Sequence, residues 1–423
     1  MPTPRTLAQK LIARAAGRGA VQVGEIVTCR VDLAMFHDRS GPRRLKPMLA
    51  EIGASLWDKD KVVLVIDHYV PEADDESRRI VRLARDWARD EALPHVHDSQ
   101  GICHVVLPQA GHLRPGMLAV GGDSHSPTGG AFGAYMFGVG ATEMLGVVST
   151  GEIWLQVPQT IFLQWDGVLS PGVCAKDMML QTLGRFGMSG GQYQAVEFVG
   201  EAVSSLSMPE RMTLCNMAAE LGAQTGLVAP DATTQAWLAA HGVSLADDDI
   251  TPWHSDANAP GTRHVFDAAA LPPQVALPHS PARAQPVDSL PATPVDVAYI
   301  GACTGAKIDD LRAAAQVLAG RHVAPGVQLL LAPASLRDQQ QAADEGVLPA
   351  LLAAGATLLP TGCGACAGYG GRIAEGSTVI SSTARNFKGR MGADTAQVYL
   401  GSPYTVAASA LRGVITDPRE VLA

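Results

Sequence analysis

Val297-Ala298-Tyr299-Ile300-Gly301-Ala302-Cys303 is a short apolar run that ends in glycine and a thiol, and Ala356-Thr357-Leu358-Leu359-Pro360-Thr361-Gly362-Cys363-Gly364-Ala365-Cys366 repeats the plan further along the chain. Apolar runs this short, bounded by turn residues, read as strands. Segments 308–319 and 335–354 carry helical spacing, and 326–331 and 377–381 read as further strands. Such alternation builds a parallel α/β sheet. Ligands bind such sheets at the carboxyl ends of the strands. Cys303 and Cys363 both fall there, so thiols far apart in sequence come within reach of one another.

Three thiols in this setting have a specific chemical meaning. An iron–sulfur cube held by protein alone usually takes four thiolates. Three leave one metal corner open, and an open corner acts as a Lewis acid. A lone Cys-x-x-Cys is also found in zinc sites and redox motifs, and its blandest reading is a glycine-rich turn with two small buried thiols. Zinc wants a fourth ligand that the neighbouring sequence does not offer. The glycines around Cys363 and Cys366 let backbone wrap a bulky inorganic group. A single metal ion shared by cysteines and histidines is the rival reading.

Working outward, the run Lys61–Asp67 reads as a buried strand ending in Asp67-His68, and Met117–Val120 runs into Gly121-Gly122-Asp123-Ser124-His125. With His104 these supply acid–base groups at or beside strand ends. A carboxylate beside a histidine orients the imidazole and raises its basicity, although each histidine alone fits a structural role equally well. A charged helix is expected over about Glu76–Glu91, and a glycine-rich helix over 130–150. On a helix from about Pro209 to Leu221, Asn216 and Glu220 are four apart and share a face; alone, they read as a surface polar pair. Arg385 and Arg390 follow the strand after the Cys-x-x-Cys loop, where guanidinium forks suit carboxylates. The proline-rich stretch 271–295 reads as an extended linker. The chain therefore divides into 1–158, 159–290 and 291–423, the last an α/β domain with a parallel sheet.

Composition narrows the class. The 423 residues carry 47% hydrophobic and 17% charged side chains with a net charge of −9, ordinary for a globular protein and without a pull toward nucleic acid or acidic lipid. No basic stripe or aromatic platform supports nucleic-acid binding. The greasiest window, Ala131–Trp154, is broken by Glu143 and Glu152 and reads as buried helix rather than membrane span. The N-terminal residues lack the apolar block of a secretory signal. Seven cysteines, an odd and sparse set, fit free thiols in a reducing cytoplasm.

These motifs together resemble the aconitase superfamily, particularly the large subunit of the 3-isopropylmalate dehydratase and homoaconitase type. The resemblance rests on Ile66-Asp67-His68, Gly101-Ile102-Cys103-His104, Gly122-Asp123-Ser124-His125-Ser126 and Cys215-Asn216-Met217-Ala218-Ala219-Glu220. It rests also on Gly301-Ala302-Cys303-Thr304, Gly362-Cys363-Gly364-Ala365-Cys366 and Arg385-Asn386-Phe387-Lys388-Gly389-Arg390, and it spans nearly the whole chain. It implies three α/β domains with parallel-type sheets around a central cluster cleft, and a hydro-lyase acting on a hydroxy di- or tricarboxylate, with one [4Fe–4S] cluster per chain on Cys303, Cys363 and Cys366. By the same resemblance Asp67, His68 and His104 help protonate the leaving hydroxyl, supported by Asp123, His125 and Glu220, while Ser124, Asn216, Arg385 and Arg390 contact substrate. The swivelling fourth domain of single-chain members is expected on a separate small subunit, which supplies a serine base.

The chain departs from the family pattern at Ala302 and Gly305, where serine and asparagine are usual beside the first thiol, and at Ala384, where asparagine is usual. These changes leave room for another diacid, homoaconitate or a methylated malate, as substrate. The role of His279, in Pro278-His279-Ser280-Pro281, is not read from the pattern. The rival functional class is a cluster-bearing sensor or nucleic-acid binder without catalysis.

Overall fold

The computed structural model describes residues 3–363, 366, 368 and 373–422. Its first region contains β1 (Ile26–Arg30), β2 (Leu33–His37), β3 (Val62–Ile66), β4 (His95–Asp98), β5 (Leu118–Gly121), β6 (Tyr135–Gly138) and β7 (Glu152–Gln156). Strands β1 and β7 form an antiparallel pair, and the other five form a parallel sheet in the order β4-β3-β2-β5-β6. A second parallel sheet, ordered β10-β9-β8-β11, is built from β8 (Thr160–Asp166), β9 (Ala195–Val199), β10 (Thr225–Leu227) and β11 (Thr262–Asp267).

The third sheet is seven-stranded. It takes β12 (Gln274–Ala276), β13 (Ala284–Pro286), β14 (Val297–Ile300), β15 (Gln328–Leu331), β16 (Ala356–Leu358), β17 (Thr378–Ser381) and β18 (Gln397–Gly401), in the order β13-β12-β18-β17-β14-β15-β16. The five strands from β14 onward run parallel, and β12 and β13 add an antiparallel edge. The α/β class with parallel sheets is therefore as expected from the sequence.

Burial explains the strand sequences. Val62-Val63-Leu64-Val65-Ile66 and Val297-Ala298-Tyr299-Ile300 are buried at every position, as strands covered on both faces require. The helix Asp75–Asp90 starts at a reciprocal cap between Asp74 and Ser77 and buries Ile80, Val81, Ala84 and Trp87, an apolar stripe at helical spacing. One continuous core takes Met35 and Val63 from the first sheet, Leu163 and Trp165 from the second and Ala298 and Ile300 from the third.

Four local expectations change. The 130–150 helix is three pieces: a 3-10 turn over Ser126–Phe132, strand β6, and a helix only over Ala141–Thr150. Gly133, at φ 70°, ends the first piece. Segment 335–354 is two helices, Leu336–Asp344 and Val347–Ala353, broken where Gly346 takes a left-handed φ of 76°. The helix of Asn216 stops at Met217, so Glu220 lies in the turn beyond it. The 271–295 stretch is not a free linker, because β12 and β13 pair within the third sheet.

The first and third sheets are joined where loops meet. Gly101 and Ser335 form an isolated bridge, Ile102 N donates to Ala334 O, and Leu336 N donates to Gln100 O. Gly101 sits at φ 132°, and a Cβ there would lie 2.4 Å from Ser335 Cα. Only glycine fits this crossing.

Candidate active site

The carboxyl ends of strands from the first and third sheets converge on one cavity of about 520 Å³. Strand β2 delivers His37, β3 delivers His68, β5 leads to Asp123, Ser124 and His125, β14 leads to Cys303, β16 to Cys363 and Cys366, and β17 to Ala384 and Arg385. His104 comes from the first turn of the helix Cys103–Gln109 rather than from a strand end. Arg390 completes the thiol side. Asp67, Asn216 and Glu220 stand one step behind the wall, fully buried and bonded to residues that form it.

Asp67 organises the first wall. Its Oδ1 lies 2.7 Å from His68 Nδ1, and its Oδ2 accepts from Cys103 N at 2.7 Å, where the His104 helix begins. Its carbonyl accepts from Cys363 N at 3.0 Å, so one residue touches both acid–base groups and a thiol loop. The adjacent strand contributes a second carboxylate, Asp38, which accepts from His68 N and Tyr69 N. His37 stacks on His68 with ring centroids 3.7 Å apart. Burial pulls the His68 pKa down, but Asp67, Asp123 and Asp38 outweigh it and hold it at about 9. His68 is therefore an imidazolium at neutral pH.

Asp123 is the second organiser. His104 Nε2 lies 2.7 Å from its Oδ1, which also accepts from His125 N at 2.8 Å. Burial works against its charge, yet the surrounding histidines hold Asp123 well below the usual carboxylate range. Burial keeps the His104 pKa low despite Asp123, so His104 is neutral. His125 Nε2 lies 3.1 Å from Glu220 Oε1, and that oxygen also takes Arg385 Nε. Arg385 reaches Ser124 Oγ at 3.0 Å on the exposed rim. Charges of both signs thus alternate around the cavity.

The thiol wall has its own donors. Asn216 Nδ2 donates to Cys303 Sγ at 3.2 Å, and Arg390 Nη2 approaches Cys366 Sγ at 3.9 Å. Cys366 takes the hydrogen bond of Cys363 and sits beside Arg390, which holds it far below an ordinary thiol. That shared proton and burial push Cys363 up. Burial and the neighbouring Cys366 push Cys303 to about 12. Ala302 turns the Cys303 loop at φ 69°. At Gly305 an added Cβ would lie 2.2 Å from Ser382 Oγ, and that hydroxyl accepts from Gly301 N at 3.0 Å. Ser382 therefore fills the space a larger residue at 305 would need.

This donor set fits a bulky, negatively charged inorganic group. Three thiols from two loops face one cavity, and Asn216 Oδ1, Glu220 Oε2 and Arg390 Nε nearby are buried without a hydrogen-bond partner among the described residues. Unpaired buried polar atoms cost about 1–3 kcal/mol each, so their concentration marks a place built for a polar guest. Gly362, at φ 141°, brings the thiol loop against the first wall, where a Cβ would sit 3.0 Å from Asp67 O. The glycine wrap read at Gly364, Ala365 and Gly370 lies outside the described residues.

Several groups escaped sequence reading. His37 and Asp38 end β2 as Asp67 and His68 follow β3, a parallel legible only once the strands are adjacent. Lys307 Nζ is buried and donates to Cys303 O at 2.9 Å; Lys176 Nζ, also buried, donates to Thr304 Oγ1, Ser382 O and Thr383 O. Burial lowers Lys176 to about 8. Arg39, Arg43 and Arg44 line the same cavity as Arg385. Cys103 lies close enough to Cys303 for their charges to interact, but it is fully buried, does not line the cavity, and burial keeps its thiol protonated. His279 N donates to Asn386 O, next to Arg385, from a backbone at φ 76°.

A family model described as "Aconitase family (aconitate hydratase)" matches residues 9–413. The 3-isopropylmalate dehydratase large subunit 1 of Methanopyrus kandleri is 40% identical over 422 residues, covering 99% of this chain and all of the relative. A probable methanogen homoaconitase large subunit of Methanosarcina mazei is 42% identical over 394 residues, covering 92% of this chain and 99% of the relative. Among solved structures, holo-form aconitase X of Thermococcus kodakaraensis shares the fold with a TM-score of 0.51 at 12% identity, over 85% of this chain and 84% of that one.

Proposed function

The chain belongs to the aconitase family and is a hydro-lyase, and we propose that it is the cluster-bearing large subunit of a two-subunit dehydratase for a hydroxy di- or tricarboxylate of the 3-isopropylmalate type. The observation that carries this is the convergence of three thiols, two carboxylate–histidine systems and a ring of arginines on one cavity. Cys303, Cys363 and Cys366 would hold one [4Fe–4S] cluster. When bound, such a cluster supplies a Lewis-acidic iron with a corner open to a hydroxyl and carboxylate.

The protein's own groups divide the remaining work. His68, held charged by Asp67, carries the proton for the leaving hydroxyl. His104, neutral and oriented by Asp123, accepts a hydrogen bond from the same hydroxyl and keeps it in line. Arg385 is fixed by Glu220 and Ser124 with the rest of its fork toward the cavity, and Arg390 stands beside Cys366. Guanidinium forks there stabilise the charge that develops on a carboxylate when its neighbouring carbon loses a proton. The base for that proton and the residues that read the substrate side chain would come from a separate small subunit. Relatives named for 3-isopropylmalate and for homoaconitate are about equally similar, so the proposal is the hydroxy-diacid class, with homoaconitate or a methylated malate as alternative members.

Co-expression with a small subunit of the same type, anaerobic purification and a screen of hydroxy-diacids for ultraviolet absorbance from a new double bond tests this. About four irons with sulfide per chain and turnover of one diacid are expected. A single metal ion without sulfide, or turnover that persists after iron removal, refutes it.

A further inference from the structure

Away from the cavity, three more histidines meet at the edge of the first sheet. His95 and His97 lie on β4, the edge strand, two residues apart and so on one face. His112 follows the helix Cys103–Gln109, and its ring lies edge-on to both, with centroids 4.8 Å from His95 and 5.1 Å from His97. His97 Nε2 and His112 Nε2 are 2.8 Å apart. All three side chains are half-buried, so water reaches them. None touches the proposed catalytic machinery.

The hydrogen bonds fix the tautomer. His97 Nδ1 lies 3.0 Å from Gln100 Oε1, a pure acceptor, so the proton sits on Nδ1. The lone pair of His97 Nε2 then faces His112. This is the arrangement of a metal-ligating imidazole, whose far nitrogen is tied to a carbonyl-type oxygen. Burial lowers the His97 pKa, and burial with the two neighbouring rings lowers His112 to about 4. Both are thus neutral at pH 7, the form that binds metal.

We propose that His95, His97 and His112 bind one borderline divalent cation, such as Zn2+ or Ni2+, with Gln100 as the outer partner that orients His97. Imidazole donors select such ions over Mg2+ or Ca2+. The His97 and His112 nitrogens now share a hydrogen bond at 2.8 Å; a bound ion would replace its proton and part the two nitrogens to roughly 3.3 Å, and coordination also asks for rotation of the His95 ring toward them. The bound ion would pin the segment after the His104 helix to the sheet edge. This site does not depend on the reading of the thiol cavity.

The test uses untagged protein with its small subunit and intact cluster, since a polyhistidine tag would mask the site. Equilibrium dialysis against zinc, with elemental analysis, is expected to give one zinc per chain with iron unchanged, and magnesium none. His97→Gln with His112→Gln should abolish that zinc. Gln100→Leu, which keeps every imidazole, should weaken it by about tenfold. Cobalt in place of zinc should show d–d bands without thiolate charge transfer. Unchanged zinc affinity in both the double variant and Gln100→Leu, or zinc uptake matched by iron loss, overturns the proposal. If the double variant fails to fold, Gln100→Leu with the cobalt spectrum decides alone.

Discussion

Replacing Asp67 by asparagine isolates the charge that keeps His68 protonated. The carbonyl of the new side chain can still accept from His68 Nδ1, so the ring keeps its place. The cost falls on the other side of the amide, because its NH2 group would face the Cys103 N–H, donor against donor. That mismatch should cost about 1–3 kcal/mol of stability. The electrostatic effect is separate. Asp38 and Asp123 remain, so the His68 pKa should fall from about 9 toward the ordinary 6.5, a loss of about 3.4 kcal/mol of preference for the imidazolium. If His68 is the proton donor, its competent fraction at pH 8 drops roughly thirty-fold, whereas at pH 6 it drops by only about a quarter. The assay is the pH dependence of kcat/KM for wild type and Asp67→Asn, normalised to cluster content, and the alkaline limb should move down by about two and a half pH units. A uniform loss at all pH values, or an unmoved alkaline limb, refutes the assignment of His68 as the acid.

Cys363→Ser should abolish cluster absorbance and turnover together, while Cys103→Ala should keep both, because Cys103 is buried off the cavity; visible spectra and iron analysis read the contrast. Burial raises Glu197 to about 7, outweighing Ser255 Oγ at 2.7 Å, the Leu7 backbone and the more distant charges of Arg263 and Lys10. A raised carboxyl pKa stabilises the fold fully below pH 4.5 and loses that contribution as pH rises through 7. Glu197→Gln should therefore raise stability by up to about 3 kcal/mol at pH 8 and leave it unchanged near pH 4, measured by denaturant melts. Arg211 is wholly buried, with a two-pronged bond to Asp231 at 2.8 and 2.7 Å and bonds to Leu206 O and Ser204 O. Arg211→Met takes this donor from Leu206 O and Ser204 O, while Asp231, about a third exposed, keeps its bonds from Thr233 N and Thr234 N; stability should fall by about 2–3 kcal/mol, with a matching drop in melting temperature.

Local signals were legible where a short apolar run meets a turn. The strands β3 and β14 and the residues that follow them were readable because burial on both faces forces continuous apolar sequence, whereas β16, a largely exposed edge strand, was readable from the turn residues that bound it. The cysteines and Asp67-His68 came with them. What failed needed either backbone torsions or neighbours. Gly346 and Gly133 break helical patterns because each takes a positive φ, and spacing alone does not reveal which glycines do so. Asn216 and Glu220 were read as one helical face, yet the helix ends between them, and each is held by partners distant in sequence, Cys303 for one and His125 with Arg385 for the other. The proline-rich 271–295 segment looked unpaired because strands as short as β12 and β13 carry no alternation to detect. Lys176 and Lys307 were invisible for the opposite reason: lysine in a sequence reads as surface, and only the carbonyls gathered around each ammonium make its burial tolerable.

The crossing at Gly101 and Ser335 has a bearing on how cargo enters. Backbone-to-backbone stitches there lace the histidine side to the thiol side along one seam. Away from that seam Ser124, Arg43 and Arg44 line the cavity and meet water, so a dissolved diacid meets a hydroxyl and two cations at this entrance before it reaches the histidines and thiols.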